Sequence, residues 1–331
     1  MVRGFAGGKP IALALAATTI MPGWVSPAEH YHRPILALVI RLGAAFVLSV
    51  MLVLVKLASE SGIHLAEILF WRQMPTVPLI ALWLALSGGV ARLRTARIGK
   101  HGLRALYGLV GMALNFGAVI LLPLPEATTI NFTTAFWAVI LSALILRERV
   151  GPWRWAAVAL GFVGVVIITQ PGDGHIPLLG ALVGLGAAFM IALISIQVRD
   201  LARTDEPLSI VFWFSAFSIP VLGLTMPFVA TGHSHYQWGL LAGLAGFGLL
   251  GQLLLTAALR YGAVASVIVM DYSALIWATL FGWAVFDLLP PATTWIGAPL
   301  IVGAGLIIAW REHTLGKPLQ ARTAAAQEPG P

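Results

Sequence analysis

Ten apolar stretches of about 20 residues each run along the chain and limit its possible folds more than any other feature. They lie near residues 35–58, 64–87, 103–122, 126–146, 153–170, 177–198, 207–230, 238–259, 263–286 and 292–310. A helix of that length spans a bilayer, and inside lipid every backbone polar group must be bonded within the protein. Only 10% of the 331 residues are charged, against about 25% in soluble domains. The sequence therefore predicts an all-α polytopic membrane protein with ten transmembrane helices.

Lysine and arginine are concentrated in alternate connections between these stretches. The connection after the second stretch holds Arg92, Arg94, Arg97, Lys100 and Arg104, whereas those after the fifth and seventh hold none. Cytoplasmic loops carry an excess of Lys and Arg. This pattern predicts that both termini are cytoplasmic and that the chain lies in the cell inner (plasma) membrane. Because the basic residues sit in short loops, the lipid bilayer is the expected partner and nucleic acid is not.

The two ends of the chain are predicted to lie outside the helical domain. Residues 1–33 contain an apolar run over 11–21 followed by Pro22, which resembles a signal peptide cleaved near Ala28. The alternative is a leader at the membrane surface or a misassigned start. Cleavage would invert the topology that the charges indicate, so we prefer the alternative. Residues 311–331, rich in Ala, Gln and Pro, are predicted to form a disordered cytoplasmic tail.

Motifs recur in the two halves of the chain at a nearly constant offset. Phe70-Trp71 and Pro78 recur as Phe212-Trp213 and Pro220, and an acidic residue ends both the fourth and the ninth stretch. Such an ordered series indicates duplication, with five-helix repeats over 34–171 and 172–310. Because five is odd, the second repeat enters the membrane from the opposite side. Inverted repeats are typical of secondary transporters that work by alternating access, with substrate sites near the midplane between the repeats.

Several segments resemble the drug/metabolite transporter superfamily, in particular its EamA-type ten-helix exporters. They are Lys56 with Arg72 sixteen residues later, Leu-Ile-Leu-Arg-Glu148-Arg, Trp155 to Gly164, Ala-Leu-Arg-Tyr-Gly-Ala-Val-Ala-Ser266, Leu-Phe-Gly-Trp-Ala-Val-Phe-Asp287 and Trp295-Ile-Gly-Ala-Pro-Leu-Ile-Val-Gly. The resemblance extends from about residue 35 to 310. It implies the export of amino acids or other metabolites, and one branch of the family exports aromatic amino acids.

The chain departs from the family pattern at a few positions. Asp287 stands where the family usually has Glu, which keeps the charge, and Ala135 and Ala274 stand where it often has Pro. A mechanism that relies on proline kinks in the fourth and ninth helices is therefore not implied. The first stretch has no acidic residue, so the mechanism of the small proton-coupled multidrug relatives is not carried over.

Two charged residues lie near mid-depth of the predicted helices, Arg72 in the second and Asp271 in the ninth. Charges inside the membrane are unfavourable and mark candidate functional sites. We interpret the two as ligands of a zwitterionic substrate, with Arg72 on the carboxylate and Asp271 on the ammonium group. One alternative is a structural ion pair with each other or with helix ends. Another makes Asp271 a proton carrier in coupled transport.

Uncharged polar side chains and deep tryptophans complete the predicted site. Asn131 and Gln252 are preferred as cavity residues because the fourth and eighth helices should face the repeat interface, although hydrogen bonding between helices is the alternative. Tyr272 adjoins Asp271 but points about 100° away around the helix. Trp71, Trp137, Trp213 and Trp277 lie deep in the stretches, whereas tryptophan usually prefers interfaces. They could line a pocket for an aromatic or large aliphatic side chain; packing against lipid or core is the alternative for each.

Other chemistries find little support in the sequence. Glu148 and Asp287 end helices and are assigned structural roles, and His233 and His235, two residues apart in a loop, are read as surface residues. No metal site or cofactor is predicted. The chain has no cysteine and no Gly-rich phosphate loop or hydrolase motif, so an enzyme, an ATP-driven pump or an ATPase subunit is not implied.

The sequence therefore predicts a secondary transporter that exports small metabolites, foremost amino acids with aromatic or large apolar side chains. Organic cations or drugs are an alternative substrate class on the same fold. Phosphorylated substrates call for several cavity cations, and only Arg72 and Lys56 qualify. A lipid flippase or a membrane-embedded enzyme is the alternative of another class.

Overall fold

The computed structural model describes residues 34–325 except 88, 146–149, 171–175, 203 and 262–268, and every regular element in these ranges is helical. Ten helices occur in the predicted order: α1 (Pro34–Glu60), α2 (Leu65–Gln73 and Thr76–Leu86), α3 (Ile98–Leu121), α4 (Leu124–Asn131 and Thr134–Leu144), α5 (Pro152–Thr169), α6 (Leu178–Leu201), α7 (Pro207–Gly223 and Met226–Val229), α8 (His235–Tyr261), α9 (a 3-10 turn, Val269–Tyr272, then Ser273–Phe286) and α10 (Ala292–Ala325). Eight of them are long and apolar enough to cross a bilayer, while α7 and α9 are shorter apolar helices. The predicted all-α polytopic architecture is confirmed.

The predictions for the two terminal segments of the chain have different outcomes. The predicted leader, 1–33, lies outside the described residues. Helix α10 continues to Ala325, although disorder is predicted from residue 311.

Helix breaks occur with and without proline. In α2 the break falls at Pro75, because proline lacks an N–H group and clashes with the preceding turn. In α4 the break falls at residues 132–133, although Ala135 replaces the family's proline. There the hydroxyl groups of Thr133 and Thr134 each donate to the carbonyl three residues earlier, at 2.7 Å. Such bonds occupy carbonyls that a broken helix leaves free in lipid.

The packing of the helices is unchanged when the two halves of the chain are exchanged. Helix α1 packs on α8, and its counterpart α6 packs on α3; α4 packs on α6, as α9 packs on α1. The pairs α2–α7, α4–α9 and α5–α10 join each helix to its own counterpart. The two five-helix repeats are therefore intertwined about a pseudo-two-fold axis, which is the inverted arrangement predicted from the sequence.

Glycines allow the closest helix crossing, between α5 and α10. A Cβ atom on Gly164 would lie 2.8 Å from the carbonyl oxygen of Gly297, and one on Gly297 would lie 2.6 Å from the carbonyl oxygen of Gly164. Contacts that short do not occur, so the two backbones can approach only because both residues lack a side chain. Small residues at helix interfaces allow van der Waals packing in this way inside membranes.

The outer surface of the bundle is apolar, and its interior holds the large buried side chains. Leu86, Trp153 and Phe228 are 80%, 67% and 88% exposed, whereas Phe116 and Phe136 are fully buried. A soluble monomer rarely exposes so much contiguous apolar surface. The exposed side chains are suited to contact with lipid.

Ion pairs join the two repeats at the end of the bundle that the charge pattern assigns to the cytoplasm. Arg97, before α3, and Lys100, in its first turn, both bind the carboxylate of Asp200 near the end of α6, with the lysine Nζ at 2.7 Å. Arg92 Nε lies 2.6 Å from Glu206 Oε2 before α7. These contacts tie the connection between α2 and α3 to the connection between α6 and α7.

The Asp200 contacts predict a specific pH dependence of stability. Hydrogen bonds from Lys100 and Arg97 hold the pKa of Asp200 below its usual range. A lowered pKa means that the stabilisation is present above the unfolded-state pKa and is lost only as the pH falls through the folded-state value. We therefore expect Asp200→Asn to lower the Tm slightly and equally at pH 6 and pH 8, and less at high salt. Thermal melts at two pH values and two salt concentrations test this, and an effect that differs between pH 6 and 8 would contradict it.

Candidate substrate-binding site

A cavity lies where the two repeats meet, between α2 and α7 and flanked by α3 and α8. Its volume is about 50 Å³. The described lining residues are Arg72, Gln73, Thr76, Arg104, Val211, Phe214, Ser215, Gly248, Leu249 and Gln252. Because α2 and α7 are counterparts in the repeats, the cavity adjoins the pseudo-two-fold axis. Two residues predicted for the site, Arg72 and Gln252, are thus brought together.

Arg72 of α2 packs against α8, and part of its guanidinium group has no hydrogen-bond partner among the described residues. Its NH1 group donates to Gln73 Oε1 at 2.7 Å. Its Nε and the Gln73 Nε2 are buried with no hydrogen-bond partner among the described residues. A Cβ atom on Gly248 would lie 3.5 Å from the Arg72 side chain, an ordinary contact distance, so the arginine packs on α8 beside this glycine. Arg72 therefore offers N–H donors to whatever occupies the cavity.

Arg104 of α3 is a second cavity cation, which the sequence reasoning missed. Its guanidinium carbon lies 4.5 Å from the centre of the Phe214 ring, a cation–π arrangement. Its Nε and NH1 are buried without a hydrogen-bond partner among the described residues. A Cβ atom on Gly108 would lie 2.1 Å from NH1, so that glycine provides the space for the arginine. The sequence reasoning missed Arg104 because it was counted with the loop cations. Its position on the same helix face as Gly108 could have indicated that it lies in a packed region.

Asp271 pairs with an arginine of α1 and is not among the described lining residues of the cavity. Arg41 Nε lies 2.6 Å from Asp271 Oδ1, and Arg41 NH2 lies 2.6 Å from Oδ2, which makes a bidentate pair. The sequence reasoning missed Arg41, although it is an arginine inside the first apolar stretch. The zwitterion hypothesis requires Arg72 and Asp271 in one cavity, and the structure does not bring them together. A structural ion pair fits the geometry of Asp271, but its partner is Arg41 and not Arg72 or a helix end, the partners expected from the sequence.

The pair predicts a double-mutant rescue. The Arg41 side chain is 10% exposed and that of Asp271 is 40% exposed, so solvent weakens the pair relative to a fully buried one. We expect Asp271→Asn or Arg41→Gln alone to destabilise the protein by about 1–2 kcal/mol and the double variant to recover part of that loss. Thermal melts in detergent give the three values. If Asp271→Asn also transports at an unchanged rate with unchanged pH dependence, Asp271 carries neither substrate charge nor a proton.

Tyr272 and Trp277 of α9 lie in packed contacts near α1, α4 and α10. The Tyr272 ring meets that of Phe132 edge to face at 4.8 Å, and its hydroxyl occupies the space over Gly305, where a Cβ atom would lie 1.9 Å away. The Trp277 ring meets that of Phe46 at 5.0 Å. None of these residues is among the described lining residues of the cavity, so their predicted contact with substrate stays a prediction.

Asn131 and Trp137, in the two halves of α4, are also away from the described cavity lining. Asn131 Oδ1 and the Trp137 indole nitrogen are buried without a hydrogen-bond partner among the described residues. The Trp137 ring packs against Phe162 and Phe189, at 5.6 and 5.4 Å.

Trp71 and Trp213, counterparts in the two repeats, lie toward opposite ends of the bundle. Trp71 contacts Trp238 at 5.0 Å, and its indole N–H donates to Glu67 at 3.4 Å. The Trp213 indole N–H donates to the carbonyl oxygen of Leu93 at 2.9 Å. Both tryptophans thus contact the other repeat near a loop, and neither is among the described lining residues of the cavity.

Polar groups near the other helix ends have protein partners. His233 binds Glu67, and both side chains are 2% exposed, although a surface role is predicted for the histidine. Asp287, the residue that follows α9, is exposed and has φ 54°, whereas Glu148 lies outside the described residues. Lys56 donates to the carbonyl oxygens of Val119 and Leu122, at 3.3 and 2.7 Å. Lys56 therefore does not supply a cavity charge.

Comparison of the sequence with known proteins shows which family it matches. The profile of the EamA-like transporter family matches residues 35–170 and again residues 178–310. The chain is 29% identical over 283 residues to a riboflavin transporter of Vibrio cholerae, covering 84% of this chain and 95% of that protein. It is 30% identical over 270 residues to a pseudopaline exporter of Pseudomonas aeruginosa, covering 80% and 93%. It is 25% identical over 253 residues to an S-adenosylmethionine uptake transporter of Rickettsia prowazekii, covering 76% and 84%.

The fold also matches a solved structure. A crystal structure with 20% sequence identity superposes with a TM-score of 0.56, covering 85% of this chain and 99% of the other. At that identity the likeness concerns the arrangement of the helices alone.

Proposed function

The chain belongs to the EamA-like transporter family, and from this premise we propose that it exports amino acids with aromatic or large apolar side chains by alternating access. Members of the family and the relatives named above are transporters of small molecules rather than enzymes. The observation that carries the proposal is Arg72, whose buried guanidinium group has an unpaired Nε at the cavity between the repeats.

The cavity supplies groups that suit each part of an amino acid. A carboxylate can accept charge-assisted hydrogen bonds from Arg72 and a further bond from the unpaired Gln73 Nε2. Val211, Phe214 and Leu249 form apolar walls for the side chain. The hydroxyl group of Ser215 is an acceptor for the ammonium group.

Transport requires the cavity to change size. Its volume of about 50 Å³ is far below the roughly 300–1,000 Å³ of pockets that enclose small organic ligands. The substrate must therefore widen the space between α2 and α7. Both helices are interrupted, α2 after Gln73 and α7 after Gly223, and such breaks absorb backbone rotation during alternating access.

The charge of the cavity argues against organic cations as substrates. Arg72 and Arg104 both line it, and a cationic ligand would meet two like charges in a region of low dielectric constant. The relatives carry names as different as riboflavin transporter and pseudopaline exporter. The residues of the cavity, rather than the fold, must therefore decide the substrate.

Counterflow in proteoliposomes tests the proposal. Purified protein is reconstituted with an unlabelled solute inside, and uptake of radiolabelled phenylalanine, leucine or a cationic dye is measured. Saturable exchange of phenylalanine and leucine, absent from protein-free liposomes, is the expected result. Exchange of the dye alone would replace the proposal with drug efflux, and no exchange of any solute would overturn it. Efflux from preloaded cells, with and without the protein, tests the outward direction.

A further inference from the structure

The strongest unexplained feature of the molecule is an uncompensated pair of cations. Arg72 and Arg104 line the same cavity, and the described lining residues include no carboxylate. Three guanidinium nitrogens of the pair, Arg72 Nε and Arg104 Nε and NH1, are buried with no hydrogen-bond partner among the described residues. Buried charges without partners destabilise a folded protein.

Two other cations within the apolar stretches, Arg41 and Lys56, are compensated by the protein itself. Arg41 is paired with Asp271 at 2.6 Å, and Lys56 donates to two backbone carbonyl oxygens. The contrast indicates that the cavity arginines are not simply a tolerated defect of packing. Their counterion is expected to come from outside the chain.

Both guanidinium groups are also held in fixed positions. Phe214 lies over the guanidinium group of Arg104, and Gln73 binds one end of Arg72. Gly108 gives the Arg104 side chain its room, since a Cβ atom there would lie 2.1 Å from NH1, and Arg72 packs beside Gly248. A planar guanidinium held in this way presents its remaining N–H groups to carboxylate or phosphate oxygens, often in pairs.

From these observations we propose that the cavity also binds dianionic substrates, through Arg72 and Arg104 together, and binds them more tightly than the zwitterionic amino acids of the proposed function; the inference rests on that function only in taking this cavity as the transport site. The substrate then carries two negative charges, one bound by Arg72 and the other by Arg104. Two carboxylates or one phosphate monoester provide this chemistry. A zwitterion or a monoanion would leave a net positive charge buried in the closed cavity, whereas a dianion neutralises it. Arg104 is therefore the residue that distinguishes dianions from zwitterions and monoanions.

Binding to the purified protein tests the inference without requiring transport. The ligands are four compounds with the same ring: phenylalanine, phenylacetate, phenylsuccinate and phenyl phosphate, with sodium chloride at matched ionic strength as the control for non-specific salt effects. Each is titrated against the Tm of the protein in detergent, since a ligand that binds only the folded state raises the Tm according to its Kd. The expected result is a Kd for the two dianions at least tenfold below that for phenylacetate. Phenylsuccinate against phenyl phosphate tells dicarboxylate from phosphate recognition.

Matched variants keep the result specific. Arg104→Gln is expected to raise the Kd of the dianions at least tenfold and to leave that of phenylacetate within threefold. Arg94→Gln, which removes an exposed loop cation, is expected to change neither. If Arg104→Gln fails to fold, Arg104→Lys keeps the charge but loses the forked geometry, and it is expected to weaken dianion binding to an intermediate extent.

The outcomes separate the inference from the proposed function. Phenylalanine binding as tightly as the dianions, or Arg104→Gln leaving the ratio between dianions and monoanion unchanged, would overturn the inference. Saturable counterflow of phenylalanine would in that case still support the proposed function. Tight dianion binding that depends on Arg104, without counterflow of any solute, would support the inference and overturn the proposed function.

Discussion

Replacing Arg72 with glutamine is expected to slow counterflow of the transported solute about 100-fold, because losing a charge-assisted contact of about 3 kcal/mol changes binding by that factor. Arg72 lines the cavity between the repeats, and its Nε has no hydrogen-bond partner among the described residues. The glutamine side chain is shorter than that of arginine and stays polar, but it loses the positive charge. Initial rates in proteoliposomes of equal protein content provide the measurement.

The stability of the same variant distinguishes a binding role from a structural one. An arginine that holds the fold together lowers the Tm when it is removed. An arginine kept for its ligand, with part of its charge uncompensated, leaves the Tm unchanged or raises it when replaced, which is the trade-off expected at functional sites. Arg94→Gln serves as the matched control because Arg94 is exposed in a loop. Transport by Arg72→Gln within threefold of the unmodified protein would remove Arg72 from the site.

The second large effect is expected at the crossing of α5 and α10. In Gly164→Val the new side chain would meet the carbonyl oxygen of Gly297 and the side chain of Ile301, both 2.8 Å from the Cβ position. A backbone oxygen of a packed helix cannot move aside as a flexible side chain does. We expect a loss of stability at or above the upper end of the roughly 1–3 kcal/mol typical of overpacked cores, with much less monodisperse protein on size-exclusion chromatography.

The chain offers a matched control for this prediction on α10 itself. A Cβ atom on Gly303 would have no described atom within 4 Å apart from its chain neighbours and the nearby backbone of its own helix. Gly303→Val adds the same side chain without a clash and is expected to keep the yield and the Tm close to those of the unmodified protein. Equal losses in the two variants would mean that the close crossing is not the reason for glycine at position 164.

The helices could be predicted from the sequence because the bilayer fixes their length. Each described helix overlaps one of the ten apolar stretches, since a spanning segment must be apolar over about 20 residues. The inverted repeat could also be predicted, because the recurring Phe-Trp and Pro positions preserve an ordered series. The break in α4 at residues 132–133 could not be predicted, because no proline marks it in the sequence. Threonine hydroxyl groups near the break bond to backbone carbonyls instead.

The cavity could be predicted only in part, because a cavity depends on which helices become neighbours. Arg72 and Gln252 line it together, whereas Arg104 follows a cluster of loop cations in the sequence and was counted with them. Asp271 has the mid-depth position of a substrate ligand, but its partner is decided by the packing of α9 on α1, which brings Arg41 to it. Depth in the membrane can be read along one helix, whereas side-chain partners require the packing of several.

The intertwined packing of the two repeats has a consequence for how the protein is made. Helix α1 packs on α8, and α3 packs on α6, so the first repeat cannot complete its interior from its own residues. About 175 residues separate the end of α1 from the start of α8, which is roughly 9–35 s of synthesis at about 5–20 residues per second. During that interval the face of α1 with Ala44, Val55 and Ala58, all buried in the finished protein, must be covered by lipid or by the insertion machinery. A chain truncated after α5 would keep this face uncovered permanently, and membrane quality-control proteases are expected to degrade it.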